Sequence, residues 1–379
     1  MKISSARVSS GGWQRSRTSG GGFNSILLGS LLLSMLICGC PPLHETPASI
    51  QKEVRQRRDN AVVCYAVKGR RTTLSGFTSA HNLVMAFSPD GKLLAISVGT
   101  FSSVLSFGDL WVLDLGKQQT VFRANLPLPM RALSFSGDGK RLVALGRGAG
   151  VVYETSRWQE VCRFKASVFE PSELSVSPDG TTLAYATLSD IRLLSVPTGR
   201  ERQLFAYSAD VPDRHVLYAP NGRLLAGSVG SDLHLWNTST WRHRKLTLPM
   251  GTSDLYHEKP FLCFSTDSRL LAIDAGERII LVDAAATKVL RTIGIAGCMA
   301  ARFSADGKHL YAVAPKDEDI LLHKVRTADG RVLSSSVLLP RNLVDTLSSS
   351  RPAAAFSPDA KTFAVDGMFG TVIVVQAIE

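Results

Sequence analysis

Cysteine thiols are the strongest nucleophiles this chain offers, and its six cysteines fall into two sets. Cys38 and Cys40 close a short apolar run, whereas Cys64, Cys162, Cys263 and Cys298 each sit in or beside an apolar, strand-like stretch. No pair among those four has metal-type spacing such as C-x-x-C. They read as buried thiols, with a disulfide open to them in an oxidising compartment. The histidines form neither H-x-x-x-H nor H-E-x-x-H, and His257-Glu258 reads as part of a loop. No G-x-S-x-G supplies a nucleophile elbow. Gly146-Arg-Gly-Ala-Gly150 lacks the Lys-Ser/Thr ending of a phosphate loop and reads as a hairpin. Asp317, Glu318 and Asp319 could attract a hard cation, but a solvated turn explains them more simply. No catalytic residue, cofactor or metal site is expected.

Cys40 differs from the rest in what precedes it. Residues 1–24 are polar and basic, and positions 25–37 are apolar apart from small residues. A membrane-spanning helix needs roughly 20 apolar residues, so this run has the length and flanks of a signal peptide. It ends in Ile37-Cys38-Gly39-Cys40. This ending resembles the lipobox of bacterial lipoproteins, with an aliphatic residue three before the cysteine and a small residue just before it. The resemblance implies that the Cys40 thiol takes a diacylglyceryl group and that cleavage after Gly39 makes Cys40 the N-terminus. An ordinary secretory signal with a chance cysteine, or an uncleaved short anchor, is the other reading. Arg15 and Arg17 are separated by Ser16, so the twin-arginine pattern is not met. Pro41 after the cysteine favours, by the same resemblance, the outer membrane of a Gram-negative cell. Residues 40–60, with Pro41, Pro42, Pro47 and the mixed-charge run Lys52 to Asp59, read as a lipidated N-terminus and tether.

From residue 61 onward a repeat dominates. Ala86-Phe-Ser-Pro-Asp-Gly-Lys-Leu-Leu-Ala-Ile96 recurs around Phe135, Val176, Tyr218, Phe264, Phe303 and Phe356, at steps of 48, 41, 42, 46, 39 and 53 residues. Ser-Pro-Asp-Gly is a turn: Pro presets φ, Asp bonds back to its own backbone and Gly accepts a positive φ. A strand ends before each turn and another starts after it. A third alternating strand follows, as in Asp190–Val196, Asp232–Trp236, Arg278–Asp283 and Asp319–His323. The period is that of a four-stranded propeller blade. Thr371–Gln376 reads as a third strand with almost no chain after it, so Ala61–Val67 is expected to supply the fourth strand and close the ring.

These copies resemble the WD-repeat family over residues 61–379. Trp236-Asn237 stands where that family often has Trp-Asp, and Asp190, Asp232 and Asp319 stand where its turn Asp precedes the third strand. The Gly-His dipeptide is missing from every copy, so the family's side-chain tetrad is not expected. Bacterial propellers with SPDG-type repeats, such as the translocation propeller of the Tol system, are about equally similar. The expected fold is all-β: a signal peptide (1–39), a short tether (40–60) and a single β-propeller (61–379) of about seven four-stranded blades, six or eight being the other counts.

The net charge of +11 includes Lys2, Arg7, Arg15 and Arg17 of the leader, which no acid offsets before Glu45. The basic remainder favours anionic surfaces. Nucleic acid is not expected, because no binding motif appears. Two basic spots, Lys68-Gly-Arg-Arg71 and Arg242-His-Arg-Lys245, read as solvated rim or as contacts to such a surface. The longest step holds Val337–Val344, read as an apolar stretch in a long loop that either meets a partner or packs on its own blade. Together these features imply a lipid-anchored scaffold in the cell envelope with protein partners. The alternative is an enzyme or a small-ligand or carbohydrate binder using the central channel.

Overall fold

The computed structural model describes residues 61–66, 81–101, 106–126, 128–166, 173–187, 190–206, 214–249, 262–344, 353–367 and 371–376. The leader, Cys40, the tether, Lys68–Arg71 and His257-Glu258 lie outside these residues, as does the side chain of Cys64.

The first strand, β1 (Ala61–Ala66), belongs to the last blade. Blade 1 is β2 (His81–Phe87), β3 (Leu93–Phe101), β4 (Ser106–Asp114) and β5 (Gln119–Leu126). Blade 2 is β6 (Met130–Phe135), β7 (Arg141–Gly146), β8 (Ala149–Glu154) and β9 (Gln159–Lys165). Blade 3 is β10 (Glu173–Val176), β11 (Thr182–Ala186), β12 (Asp190–Ser195) and β13 (Glu201–Ala206). Blade 4 is β14 (Arg214–Tyr218), β15 (Leu224–Val229), β16 (Asp232–Asn237) and β17 (His243–Thr247). Blade 5 is β18 (Leu262–Phe264), β19 (Leu270–Asp274), β20 (Ile279–Asp283) and β21 (Lys288–Ile293). Blade 6 is β22 (Ala300–Phe303), β23 (His309–Lys316), β24 (Asp319–Arg326) and β25 (Val332–Pro340). Blade 7 is β26 (Ala354–Phe356), β27 (Thr362–Gly367) and β28 (Thr371–Gln376), with β1 as its outer strand.

Each blade is an antiparallel meander in chain order, except that β1 closes blade 7 from the other end of the domain. Ala61 pairs with Gln376 and Ala66 with Thr371, so the expected closure is realised. First strands of neighbouring blades touch in an unbroken ring from β2 through β6, β10, β14, β18, β22 and β26 back to β2. They are therefore innermost, and the fourth strands form the rim. One end of the wheel carries the Ser-Pro-Asp-Gly turns and the turns between third and fourth strands. Blade-to-blade connections leave from the opposite end.

Seven apolar clusters build the core, one per blade interface. Leu110, Val112 and Leu126 of blade 1 meet Leu133, Leu142 and Tyr153 of blade 2, and equivalent layers follow around the ring. The last layer sets Leu94 and Ile96 of blade 1 against Ala364, Val372 and Val374 of blade 7. Middle strands are sandwiched on both faces, which explains continuous apolar runs such as Leu142–Leu145. Outer strands are the wettest, and β21 alternates along its length.

Six of the seven Ser-Pro-Asp-Gly-type turns share one hydrogen-bond pattern. Ser136 Oγ donates to Asp138 Oδ1 at 2.6 Å and accepts the Arg141 N–H at 2.9 Å, while Asp138 accepts the Lys140 N–H at 3.0 Å. Ser88/Asp90, Ser177/Asp179, Ser265/Asp267, Ser304/Asp306 and Ser357/Asp359 repeat it. Blade 4 has Ala219 and Asn221 instead and keeps the backbone turn through the Gly222 N–H to Ala219 carbonyl bond. Where the turn glycine is replaced, Ser268 (φ 63°) and Ala360 (φ 60°) still adopt the left-handed backbone.

Candidate functional site

Polar groups on the innermost strands mostly tie the ring together. A blade's first strand is an edge with unused N–H groups, and the preceding blade's side chains meet them. Ser134 Oγ accepts the Val176 N–H (3.4 Å), and Ser175 Oγ accepts the Tyr218 N–H (3.0 Å). Glu173 accepts the Val216 N–H at 3.1 Å and bonds His215 Nδ1 at 2.7 Å, linking blades 3 and 4 beside the axis. Arg302 Nε donates to the Pro358 carbonyl of blade 7. Burial pushes the Arg131 guanidinium on β6 down. Among the described residues no group of three or more His, Cys, Asp or Glu side chains is placed to hold a metal, and no helix is long and apolar enough to cross a membrane.

The rim is clamped in a second way that the repeat pattern does not announce. The turn between third and fourth strands carries a left-handed residue within two positions of the fourth strand in blades 1 to 6: Gln118, Trp158, Gly199, Trp241, Thr287 and Gly330. In blades 2, 3, 4 and 6 that position lies against the outer strand of the preceding blade. Trp158 stacks on Phe122 at 4.9 Å between ring centroids, and Trp241 packs on Phe205 at 5.4 Å. At Gly199 the solution inverts: a Cβ there would overlap Phe164, which also fills the space above Gly150. Arg244 of β17 donates to the Ala284 and Ala285 carbonyls of blade 5, and Cys162 Sγ donates to the Val196 carbonyl of blade 3.

These contacts settle several residues singled out by sequence. Within the basic spot Arg242–Lys245, Arg244 is engaged as above and Lys245 pairs with Asp232 at 2.8 Å. The spot therefore braces two blades, which leaves less free charge for an anionic surface. Asp317–Asp319 is the turn from β23 to β24, where Arg341 donates to the carbonyls of Glu318 and Asp317. Gly146–Gly150 is the hairpin joining β7 and β8. Burial pushes the thiols of Cys162 and Cys263 up, and Cys298 Sγ donates to the Ala300 carbonyl at 3.3 Å. Asp190 and Asp232 start third strands as the repeat pattern expects. Asp190 bonds Thr187 and Arg192, and Asp232 bonds Thr247 and Lys245. Each thus finds partners within its own blade.

Val337–Val344 departs from its reading as a loop. Residues 332–340 form β25, paired along β24, and a 3-10 turn at Arg341–Leu343 follows. Leu338, Leu339 and Val344 pack into the layer between blades 6 and 7, so most of the stretch belongs to the core. Val337 alone among its apolar residues is described as strongly exposed, at 53%. A serine-rich run has weak strand preference, and pairing with the long β24 overrides it.

Sequence reasoning missed a cluster on blade 4. His234 Nδ1 and His243 Nε2 lie 2.8 Å apart and share a hydrogen bond beside Trp236. Burial pushes both imidazoles down; the neighbouring His243 adds to the effect at His234, and Lys245 adds to it at both. The two residues sit nine apart on adjoining strands, a distance that becomes a contact only once the register is known. The large apolar side chains most open to solvent all lie on outer strands: Val161, Leu290, Val332, Leu333 and Val337. Three of the five share β25, in blade 6.

No protein-family model matches the chain, and no curated protein matches it. Solved structures do. The β-propeller domain of Myceliophteria thermophila Cps50 (Swd1) superposes with a TM-score of 0.60 at 13% identity, covering 80% of this chain and 98% of that one. A chain of Kuenenia stuttgartiensis hydrazine synthase gives 0.60 at 15% identity, covering 82% and 99%. Likeness at this level speaks for fold and not for activity. The chain is a seven-bladed β-propeller.

Proposed function

We propose that this chain is a lipid-anchored propeller of the cell envelope that serves as a protein–protein interaction scaffold, with Cys40 as the acylated residue. The observation that carries the scaffold reading is the placement of exposed apolar side chains on the outer strands of blades 2, 5 and 6, most of them on β25, a surface suited to protein contact. The lipobox-like Ile37-Cys38-Gly39-Cys40 carries the anchor. Two or three acyl chains hold a protein stably at a membrane, and confinement raises the effective concentration of partners. Replacing Cys40 by Ser is expected to leave the chain unacylated and uncleaved at Gly39, as read by mass spectrometry of the N-terminal peptide. A wild-type peptide without acyl mass would refute the anchor. Crosslinking the tagged protein in cells and identifying what is captured tests the scaffold. A stoichiometric envelope protein supports it, and a clean protein moves the reading to a ligand of the channel. The half-polar Glu173–His215 bridge beside the axis is the observation in favour of that second reading.

A further inference from the structure

Outer strands of a blade are sheet edges, and edges without charge invite pairing with another chain. Five outer strands protect themselves: β5 carries Arg123, β9 Glu160, Arg163 and Lys165, β13 Glu201 and Arg202, β17 Arg244 and Lys245, and β21 Lys288 and Arg291. Leaving aside β1, whose side chains lie outside the description, β25 is the exception. It is the longest outer strand, Val332–Pro340, and it contains no charged residue. Residues 332–337 are exposed on both faces of the strand. Its bulges at Leu333 and Leu338 leave Ser334–Val337 in unbroken register along β24.

The sequence of this edge matches itself when reversed. Centred on Ser335, it reads Leu333-Ser-Ser-Ser-Val337, with Val332 and Leu338 flanking it. In an isologous contact residue i meets j while j meets i. Antiparallel pairing with a second copy about a two-fold axis through Ser335 would set Ser335 against itself, Ser334 against Ser336, and Leu333 against Val337. Those last two are among the most exposed apolar side chains of the wheel, at 41% and 53%. Both lie on one face of the joined sheet, where opposite residues touch. A charged partner strand would find no complement here, whereas a second copy supplies apolar against apolar and hydroxyl against hydroxyl.

We infer that β25 is a homodimerisation edge that joins blade 6 of one copy to blade 6 of another in a continuous eight-stranded sheet. The contact is short and therefore weak and concentration-dependent. It is independent of which envelope proteins the wheel binds.

The test is disulfide trapping of the full chain in intact cells. Directly opposed residues of an antiparallel pair have Cα atoms about 4.5–5.5 Å apart, within disulfide reach. Ser335→Cys is expected to give a dimer on a non-reducing gel that wild type, with its native cysteines, does not give. Ser334→Cys and Ser336→Cys should trap each other when co-expressed. Adding Val337→Lys to Ser335→Cys should cut the trapped fraction at least about fivefold, because a charge replaces an apolar cross-strand partner. All these positions are exposed, and thermal melts of the purified variants check that the fold is kept. A folded Ser335→Cys chain that stays monomeric overturns the inference, as does trapping to a different protein or trapping indifferent to Val337→Lys. Loss of self-trapping with envelope partners still captured would refute the dimer and leave the scaffold reading standing.

Discussion

The serine of the Ser-Pro-Asp-Gly turn is expected to matter more than the aspartate it holds. Ser136 is fully buried and works in both directions, donating to Asp138 and accepting from the Arg141 N–H. Ser136→Ala removes the bond to a charged acceptor, worth about 1.5–3 kcal/mol, and leaves a part-buried N–H without its acceptor, at a cost of about 1 kcal/mol. The two losses overlap. The Asp138 side chain is one-third exposed, so water replaces part of what it loses. The expected destabilisation is therefore about 2–3 kcal/mol. Asp138→Asn keeps an acceptor for Ser136 and for the Lys140 N–H and should cost about 1 kcal/mol. Blade 4 shows that the hairpin survives without the hydroxyl, since Ala219 stands in that position with its backbone turn intact. Ser136→Ala should thus lower stability without unfolding the blade, and Ala219→Ser should raise stability slightly. Urea unfolding followed by tryptophan fluorescence measures all three. A change below about 0.5 kcal/mol for Ser136→Ala, or a cost for Asp138→Asn equal to it, would refute this account of the turn.

Acid should destabilise the wheel in two steps. The His234–His243 pair is held below the usual imidazole range, so its contribution is present above about pH 6.5 and is lost as pH falls through the depressed folded values. In the turns burial raises Asp90, Asp138 and Asp179, but hydroxyl and N–H neighbours outweigh it, with lysine adding at Asp90 and Asp138, and the serine bond leads at Asp267, so all four carboxyls end below their usual range. Their share is complete above about pH 4 and falls away below it; melting temperature against pH, with His243→Gln removing the first step, checks both. Ala360→Gly should stabilise by about 1 kcal/mol, because a left-handed backbone strains alanine and not glycine; chemical denaturation that shows a loss instead would remove the strain argument. Deleting residues 61–66 should lower the melting temperature and speed proteolysis of blade 7, since β28 loses its six-residue partner; an unchanged melt would refute closure by β1.

Much of the fold was legible because each blade states its own punctuation. Ser-Pro-Asp-Gly marks the first hairpin of a blade, an Asp-led alternating run marks the third strand in blades 3, 4 and 6, and the apolar, β-branched Ala61–Val67 ahead of the first repeat reads as the closing strand. The rim was not legible. Trp158 and Trp241 sit at left-handed turn positions where a bulky residue is unexpected, and their purpose emerges only against Phe122 and Phe205 of the neighbouring blade. The one available signal was that Phe and Trp recur at the same spacing in both pairs. The reading of Val337–Val344 as a loop failed because serines mask a strand that pairing alone stabilises. The histidine pair and the roles of Arg244 and Lys245 depend on register between strands, which local composition does not encode.

The closing strand also decides how the wheel bears force. The chain enters β1 at Ala61, beside Gln376, at the end that carries the Ser-Pro-Asp-Gly turns. A pull on the preceding segment along the wheel's axis draws β1 lengthwise past β28, so all six residue pairs resist together. A pull sideways, away from the rim, opens the same pairs one after another from Ala61 inward. The ring is therefore stiff to axial tension and soft to peeling. Both loads fall first on the same joint, the one that makes the wheel a closed circle.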